Sequence, residues 1–181
     1  MNQQFIPPEE FIDEMNYQWS YFENKTSEGF KETWEIILSS FNNQIAGDEG
    51  LHVCDSVCGS GKTLGAEVAS AILSKHWSEI GTLIVVRLTE QCVDVAQSIN
   101  NISMRHTGRL IARPMFSKHI KQNGDVLIGK LTEEEILDTQ VIVITHENYL
   151  RTISGKKKDI FSNWKNGKRK FRVIDEALDL V

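Results

Sequence analysis

Hydrophobic residues recur at helical spacing in the N-terminal part of the chain. The first stretch repeats Phe11, Met15, Trp19 and Phe22, and the second repeats Phe30, Trp34, Ile37, Leu38 and Phe41. Intervals of three and four residues place such side chains on one face of a helix. This favours packing into a core over the stacking of exposed aromatic rings on nucleotide bases. The Pro-Pro-Glu-Glu run at 7–10 suits the start of the first helix, and Ser27 suits the start of the second. We therefore predict an N-terminal helical segment over residues 1–46.

Continuous apolar runs mark the remainder of the chain. Runs of this kind are typical of strands that are buried on both faces of a sheet. Uninterrupted runs occur at 82–86 and 141–144, with shorter ones at 110–112 and 126–128, and runs that include polar residues occur at 53–57 and 171–174. Helical patterns lie between several of them, over 63–77, from a cap at Thr89 to 101, and from a capping box at Thr132 to 137. The alternation of strands and helices predicts an α/β domain over residues 47–181, with parallel strands joined by crossover helices.

The run at 53–57 breaks into a glycine-rich turn followed by Lys-Thr. A strand, such a turn and a helix in succession predict a phosphate-binding loop, because glycines let consecutive backbone N–H groups point at an anion. Lys62 would supply positive charge to the β- and γ-phosphates, Thr63 a hydroxyl ligand for Mg²⁺, and the helix its positive N-terminal end. The candidate ATP-binding residues are Ser56, Cys58, Gly59, Ser60, Gly61, Lys62, Thr63 and Leu64.

An acidic pair, Asp175 and Glu176, follows the last apolar run. A phosphate-loop ATPase requires acids of this kind opposite its Lys-Thr pair. Asp175 is predicted to hold Mg²⁺ together with Thr63, and Glu176 is predicted to orient and deprotonate the attacking water. We therefore expect ATP and Mg²⁺ as ligands, with Lys62 and Glu176 as the catalytic residues.

The composition indicates the cellular compartment of the protein and whether it has a membrane partner. With 181 residues and 40% hydrophobic content, the chain is long enough for one well-buried domain, and no run approaches the ~20 apolar residues that cross a bilayer. The first residues lack the basic start and apolar core of a signal peptide. Three cysteines are a sparse and odd set, which is typical of reduced thiols. These features predict a cytoplasmic protein without a membrane partner.

Charge is divided unevenly along the chain, although the formal net charge is only −5. Residues 1–50 hold ten acids against two lysines, and residues 151–172 hold nine bases against one acid. Such a basic segment suits a polyanion such as nucleic acid, and it is equally typical of a solvated face. Phe161 and Trp164 within it are expected to anchor a short helix, with the lysines in water.

Four segments of the chain carry a family resemblance. They are Gly-Ser-Gly-Lys-Thr preceded by Ser56, the segment Arg87-Leu88-Thr89, the pair Thr145-His146, and Asp175-Glu176-Ala177-Leu178. Together they resemble motif I, motif Ia, the strand-end Thr-His segment and the acidic box of the first RecA-like domain of a DEAD/DEAH-type superfamily 2 helicase. The resemblance covers roughly residues 50–181. It implies a RecA-like phosphate-loop NTPase fold, which is a three-layer sandwich with a mostly parallel sheet.

The same resemblance implies partners. It places Arg87, Thr89, Thr145 and His146 beside bound nucleic acid, although His146 equally suits a helix cap at the end of its strand. DNA is favoured over RNA because the Gln motif of RNA-directed DEAD-box proteins is not visible. In this family a strand carrying motif III lies between the phosphate-loop strand and the acidic strand, and a second RecA-like domain supplies an arginine finger. We therefore expect the chain to be the N-terminal ATP-binding portion of a helicase or translocase, with weak or no hydrolysis on its own.

Other functions remain open from the sequence. The segment from Asp175 to Asp179 also approximates the Asp-Glu-Ala-Gln-Asp box of superfamily 1 helicases, with Leu178 in place of Gln. A stand-alone phosphate-loop NTPase or kinase would share the loop but would need an acceptor site. A regulatory module that retains a vestigial nucleotide site would bind ATP without turnover.

Overall fold

A computed structural model describes residues 5–21, 25–116, 120–122, 125–127, 130–154 and 160–176, and over 120–122 and 125–127 it describes the backbone alone. In chain order the elements are α1 (Pro8–Tyr21), α2 (Glu28–Ile45), α3 (Lys62–His76), β1 (Ile80–Val86), α4 (Thr89–Thr107), β2 (Ala112–Met115), β3 (Ile120–Gln122), β4 (Asp125–Leu127), α5 (Glu133–Asp138), β5 (Val141–Thr145), α6 (His146–Ile153), β6 (Asn163–Trp164) and β7 (Gly167–Ile174). The parts of the sequence predictions that fall on Phe22, residue 128, Ala177 and Leu178 lie outside the described residues.

The fold is α/β, as predicted, and its main sheet is mixed. Five strands lie in the order β2-β5-β1-β7-β6, and β3 and β4 form a separate antiparallel hairpin. The pairs β2–β5, β5–β1 and β1–β7 are parallel, whereas β6 runs antiparallel to β7. Because β1, β5 and β7 are parallel neighbours, their carboxyl ends meet at one edge of the sheet. That edge is where the residues of interest are concentrated.

Local signals predicted the helices well. The side chain of Ser27 accepts a hydrogen bond from the Phe30 N–H at the start of α2, and Thr132 and Glu135 form the reciprocal capping box of α5. The prediction that Thr89 caps α4 was wrong by one residue. Leu88 is the N-cap there, and its backbone N–H donates to the Gln91 side chain at 3.0 Å. Thr89 is instead the first residue of the helix.

The run at 53–57, predicted as the strand before the phosphate loop, lies in a segment over 51–57 that forms neither a helix nor a strand. Leu51, Val53 and Val57 are exposed at alternate positions, while His52, Cys54 and Ser56 between them are half-buried. The segment thus has the period of a strand, but no strand in the described part of the chain pairs with it. An extended segment becomes a strand only through backbone hydrogen bonds to a neighbour, and the apolar pattern does not encode that neighbour.

Two further predictions on strands and helices were wrong in part. The strand expected at 110–112 lies two residues later, in β2, because Leu110 is exposed and pairing with β5 begins at Ala112. The helix expected around Phe161 and Trp164 is a turn followed by β6, which pairs with the start of β7. The two side chains are nevertheless buried, as an anchoring role requires.

Helices pack on both faces of the sheet. From β1, Ile84 and Val86 contact the apolar face of α4, whereas Leu83 and Val85 face the cluster that includes Ile136 and Tyr149 of α5 and α6. The third cluster joins α1 and α2 to α3 and to Phe171 in the middle of β7. The N-terminal helices therefore pack against the helix that follows the phosphate loop. Among the described residues, no helix combines the length and apolar character that crossing a membrane demands.

Arg169 is a buried member of the basic segment. Lys168 and Lys170 beside it on β7 are exposed, as predicted for the lysines, but Arg169 points to the opposite face and is buried. Its guanidinium donates to two carbonyl oxygens at the C-terminal end of α5, one in the turn before β6 and one at the first residue of β6; these belong to Ile136, Thr139, Phe161 and Asn163. Burial lowers the pKa of this guanidinium to about 10. This base therefore supports the fold and is not available to a ligand.

Candidate phosphate-loop site

The glycine-rich turn forms a loop that leads directly into α3. The Ser60 N–H donates to the Val57 carbonyl at 3.4 Å, which closes the turn around Cys58 and Gly59. Gly59 and Gly61 have φ angles of 79° and 84°, in the left-handed region that favours glycine. Gly61 is the N-cap of α3, and its carbonyl accepts the first helical bond, from the Gly65 N–H at 2.8 Å. The loop therefore presents a helix N-terminus, as predicted.

The side chains of the predicted ATP-binding residues are not equally available. Cys58 and Gly59 lie on the exposed turn, whereas the Ser60 hydroxyl is buried and has no hydrogen-bond partner in the described part of the chain. Leu64 packs against the apolar cluster of the N-terminal helices, so only its backbone faces the loop's surroundings. The Lys62 ammonium group lies over the loop and donates to the carbonyl oxygens of Ser56 and Val57.

The Lys-Thr pair and the acidic pair come together. The Thr63 hydroxyl donates to Asp175 Oδ2 at 2.8 Å, across 112 positions of sequence. Asp175 directly follows β7, and its N–H donates to the Val85 carbonyl at 2.9 Å, which extends the pairing with β1. The sheet therefore fixes the position of Asp175, and α3 fixes the position of Thr63. The two oxygen donors that were predicted to hold Mg²⁺ are adjacent.

Glu176 occupies an unusual backbone conformation beside this contact. Its φ angle is 68°, in the left-handed region, and its side chain is exposed. A non-glycine residue in this region costs of order 1 kcal/mol, and such strain is found most often at functional sites.

Glu67 is a buried carboxyl group one helical turn after Thr63 on α3. It accepts a hydrogen bond from the Ser98 hydroxyl of α4 at 2.5 Å. Burial raises the pKa of Glu67 to about 7, and the negative charges of Asp175 and Asp94 add to this rise, while the Ser98 hydrogen bond opposes it. The carboxyl group is thus poised to change its protonation near neutral pH, close to the candidate Mg²⁺ ligands.

We expect Glu67 to make stability depend on pH. In the unfolded chain this carboxyl ionises near its usual pKa of 4.5, and in the folded protein it ionises at about 7, so the folded state holds an extra proton between these values. Stability should therefore fall as the pH rises through 7, by about 1 kcal/mol between about pH 6 and pH 8. Urea denaturation at a series of pH values measures this, with Glu67→Gln expected to remove the decrease.

The exposed Glu90 on α4 provides the matched control. Glu90→Gln should leave the pH dependence as it is in the unaltered protein. If the pH dependence of stability is also the same in Glu67→Gln as in the unaltered protein, Glu67 ionises in the folded protein at its usual pKa.

The predicted nucleic-acid residues lie at the same edge of the sheet. Val86 and Thr145 end the paired strands β1 and β5 and are register partners, so Arg87 and His146 follow at adjacent positions. Arg87 is exposed and Thr89 is half-buried. The Thr145 hydroxyl accepts from the Asn148 N–H as the cap of α6, and His146 Nε2 donates to the Asp175 carbonyl at 3.1 Å. Both Thr145 and His146 are buried, so Arg87 is the most accessible of the four.

No protein-family model, curated protein or solved structure matches the chain. The site must therefore be interpreted from its own geometry.

Some residues of the site were not singled out by the sequence. Glu67 is a single acid in a stretch of mainly small and apolar residues on α3. That position was the one sequence feature that could have indicated a buried carboxyl group. Trp34 was assigned to a core-facing stripe, and it is indeed fully buried, but its indole N–H also donates to the Ser60 carbonyl of the loop at 3.0 Å. The link from His146 to the Asp175 backbone gave no sequence signal, since it joins two separate strand ends.

Proposed function

We propose that this chain is the N-terminal ATP-binding portion of a nucleic-acid-dependent helicase or translocase, with a RecA-like phosphate-loop domain over residues 47–181. One observation carries the proposal, namely the 2.8 Å contact between the Thr63 hydroxyl and Asp175. A glycine-rich turn with Lys-Thr is only a motif by itself. Its meeting with an acid at the carboxyl end of β7, a strand parallel to β1, is the arrangement that phosphate-loop hydrolysis needs.

The residues present fit a Mg²⁺ ion that is bound together with a nucleotide. Mg²⁺ prefers oxygen ligands, and in nucleotide sites it is held by one or two protein groups along with phosphates and water. Thr63 and Asp175 supply two such oxygens, and the described residues contain no cluster of three or more His, Cys, Asp or Glu side chains suited to a metal. When bound, Mg²⁺ would neutralise charge that develops on the phosphates.

Groups of the chain itself would bind the phosphates and activate the attacking water. The loop amides and the N-terminus of α3 attract the phosphates, and Lys62 adds a mobile positive charge beside them. Glu176 is the general base, because its carboxylate is exposed and lies next to Asp175 in the chain. Asp175, beside Thr63, would hold the metal, while the exposed Glu176 faces water.

The nucleic-acid partner, DNA or RNA, is proposed for the same edge of the sheet. Arg87 offers an exposed positive charge after β1. Lys168, Lys170 and Arg172 are all exposed along β7, and a bulge between Arg169 and Phe171 interrupts the alternation of its two faces. Such a row of bases suits a phosphate backbone and approaches the candidate ATP site at Asp175. A second RecA-like domain is the further partner that this function implies.

The Asp175→Asn variant tests the function through its dependence on Mg²⁺. Calorimetric titration should show Mg-ATP binding at least about tenfold weaker than in the unaltered chain, because a carboxylate ligand of the metal is lost. Binding of ATP with the metal chelated should change by no more than about twofold, since the asparagine can still accept from Thr63.

The control for this experiment is Asp138→Asn, which alters an exposed acid at the end of α5. It should bind Mg-ATP as the unaltered chain does. A loss in Asp175→Asn that is equal with and without Mg²⁺ would show that Asp175 acts on the loop and not on a metal.

A further inference from the structure

The N-terminal helices contact the phosphate loop directly, through α2. Trp34 is fully buried, and its indole N–H donates to the Ser60 carbonyl at 3.0 Å. One residue earlier on the helix, the hydroxyls of Thr33 and Ser56 are hydrogen-bonded at 3.2 Å. Two consecutive side chains of α2 therefore reach both ends of the turn that surrounds Cys58 and Gly59.

The loop backbone lies flush against this helix. A Cβ atom added to Gly61 would come within 3.0 Å of Trp34 Nε1 and 3.1 Å of a ring carbon of Trp19. At Gly65, one turn later, an added Cβ would lie 2.8 Å from the Ile37 side chain. Glycine at 61 is thus required twice, by its positive φ angle and by the indole beside it.

Trp34 is itself held in place by aromatic neighbours. Trp19 of α1 meets it edge-to-face, with ring centroids 5.6 Å apart, and Phe30 of α2 meets Trp19 edge-to-face at 5.2 Å. Edge-to-face pairs of this kind fix ring orientation as well as position. The direction of the indole N–H is therefore set by both N-terminal helices.

We infer that α2 supports the phosphate loop, with Trp34 as the positioning residue for nucleotide binding, an inference that rests on the proposed function. The physical link is the peptide plane between Ser60 and Gly61. Because that peptide is trans and planar, its C=O and N–H point in opposite directions. The hydrogen bond from Trp34 draws the Ser60 carbonyl toward α2 and thereby turns the Gly61 N–H away from it, toward the side where an anion binds.

This inference gives the N-terminal helical segment a function in the site. The segment does not supply a ligand for the nucleotide; it holds one backbone amide of the loop in the orientation that binding needs. A loop that is ordered before the ligand arrives loses less conformational entropy on binding. Loss of the Trp34 hydrogen bond should therefore weaken nucleotide binding without removing any group that touches the nucleotide.

The test compares Trp34→Phe with Trp164→Phe. Trp164 is also buried and its indole N–H also donates to a backbone carbonyl, that of Glu79 at 3.3 Å, but it lies on β6 away from the loop. Hydrogen–deuterium exchange of the ligand-free full chain should show faster exchange of the amides over 57–63 in Trp34→Phe, by about three- to tenfold. Mg-ATP binding measured by calorimetry should weaken by a similar factor, and Trp164→Phe should change neither quantity in this way.

Each outcome decides the inference. Unchanged exchange over 57–63 in Trp34→Phe, or an equal change in Trp164→Phe, overturns it. If the unaltered chain does not bind Mg-ATP, the proposed function fails and the nucleotide role of Trp34 fails with it, while the exchange comparison still decides whether α2 orders the loop. Should Trp34→Phe not fold, Thr33→Val, which removes the contact with Ser56 but nearly keeps the side-chain shape, must raise exchange over 57–63 for the inference to stand.

Discussion

Replacing Arg169 with methionine is expected to lower the free energy of unfolding by about 3–5 kcal/mol. The guanidinium is buried and donates to four backbone carbonyls, two of which end α5 and two of which precede β7. Methionine fills similar space but donates nothing, so these carbonyls lose their partner away from water. Each buried acceptor left in that state costs about 1–3 kcal/mol, partly offset by the removal of a buried charge.

Denaturation with urea, followed by circular dichroism, measures this effect. The matched control is Lys170→Met, which changes an exposed base next along β7 and should alter stability by no more than about 0.5 kcal/mol. Equal stability of the two variants would mean that Arg169 is not the link between α5 and β7 that its contacts indicate.

The burial of Arg169 could not be predicted from the sequence. Lys168, Arg169 and Lys170 are three consecutive bases, and their pattern alone predicts a solvated or ligand-binding run. The strand period turns the middle one inward, and carbonyls from distant turns then satisfy it. Whether a buried base finds such partners depends on how α5 packs on the sheet, which local sequence does not specify.

Helices were more predictable than strands for a related reason. A helix such as α2 forms its hydrogen bonds within one segment, so its cap at Ser27 and its apolar stripe are sufficient signals. A strand needs a neighbour. β1 and β5 have one on each side and were predicted, whereas residues 51–57 carry a similar apolar pattern without a paired neighbour in the described residues.

The residues of the candidate site also differ in how far the sequence could indicate them. The proximity of the loop to Asp175 could be predicted, because a phosphate-loop pattern calls for an acid opposite its Lys-Thr pair. The contact of Thr63 with Asp175 is the geometric counterpart of that demand. The roles of Trp34 and Glu67 could not be predicted, because both depend on which helix packs beside α3 and at what distance.

Replacing Lys62 with alanine is expected to weaken Mg-ATP binding by about 100-fold or more. The ammonium group is the charged donor nearest the loop, and charge-assisted hydrogen bonds to phosphate are about twice as strong as neutral ones. In the ligand-free protein Lys62 contacts only the carbonyls of Ser56 and Val57, and the latter contact is exposed. Its removal should therefore cost little stability, which separates loss of binding from loss of folding.

Calorimetric titration measures the affinity, and Lys168→Ala is the control, since Lys168 is an exposed base on β7. Equal affinities of the Lys62 and Lys168 variants for Mg-ATP would show that Lys62 does not bind phosphate.

ATP turnover, assayed with and without single-stranded DNA or RNA, then distinguishes the proposed helicase portion from its alternatives. Turnover that a nucleic-acid strand stimulates and Lys62→Ala abolishes would show a working motor domain in this chain alone. Binding that depends on Lys62, with no turnover until a second RecA-like domain is supplied, would support an ATP-binding portion whose catalytic site is completed by its partner, because an arginine finger supplied in trans is worth about 10³ to 10⁵ in rate.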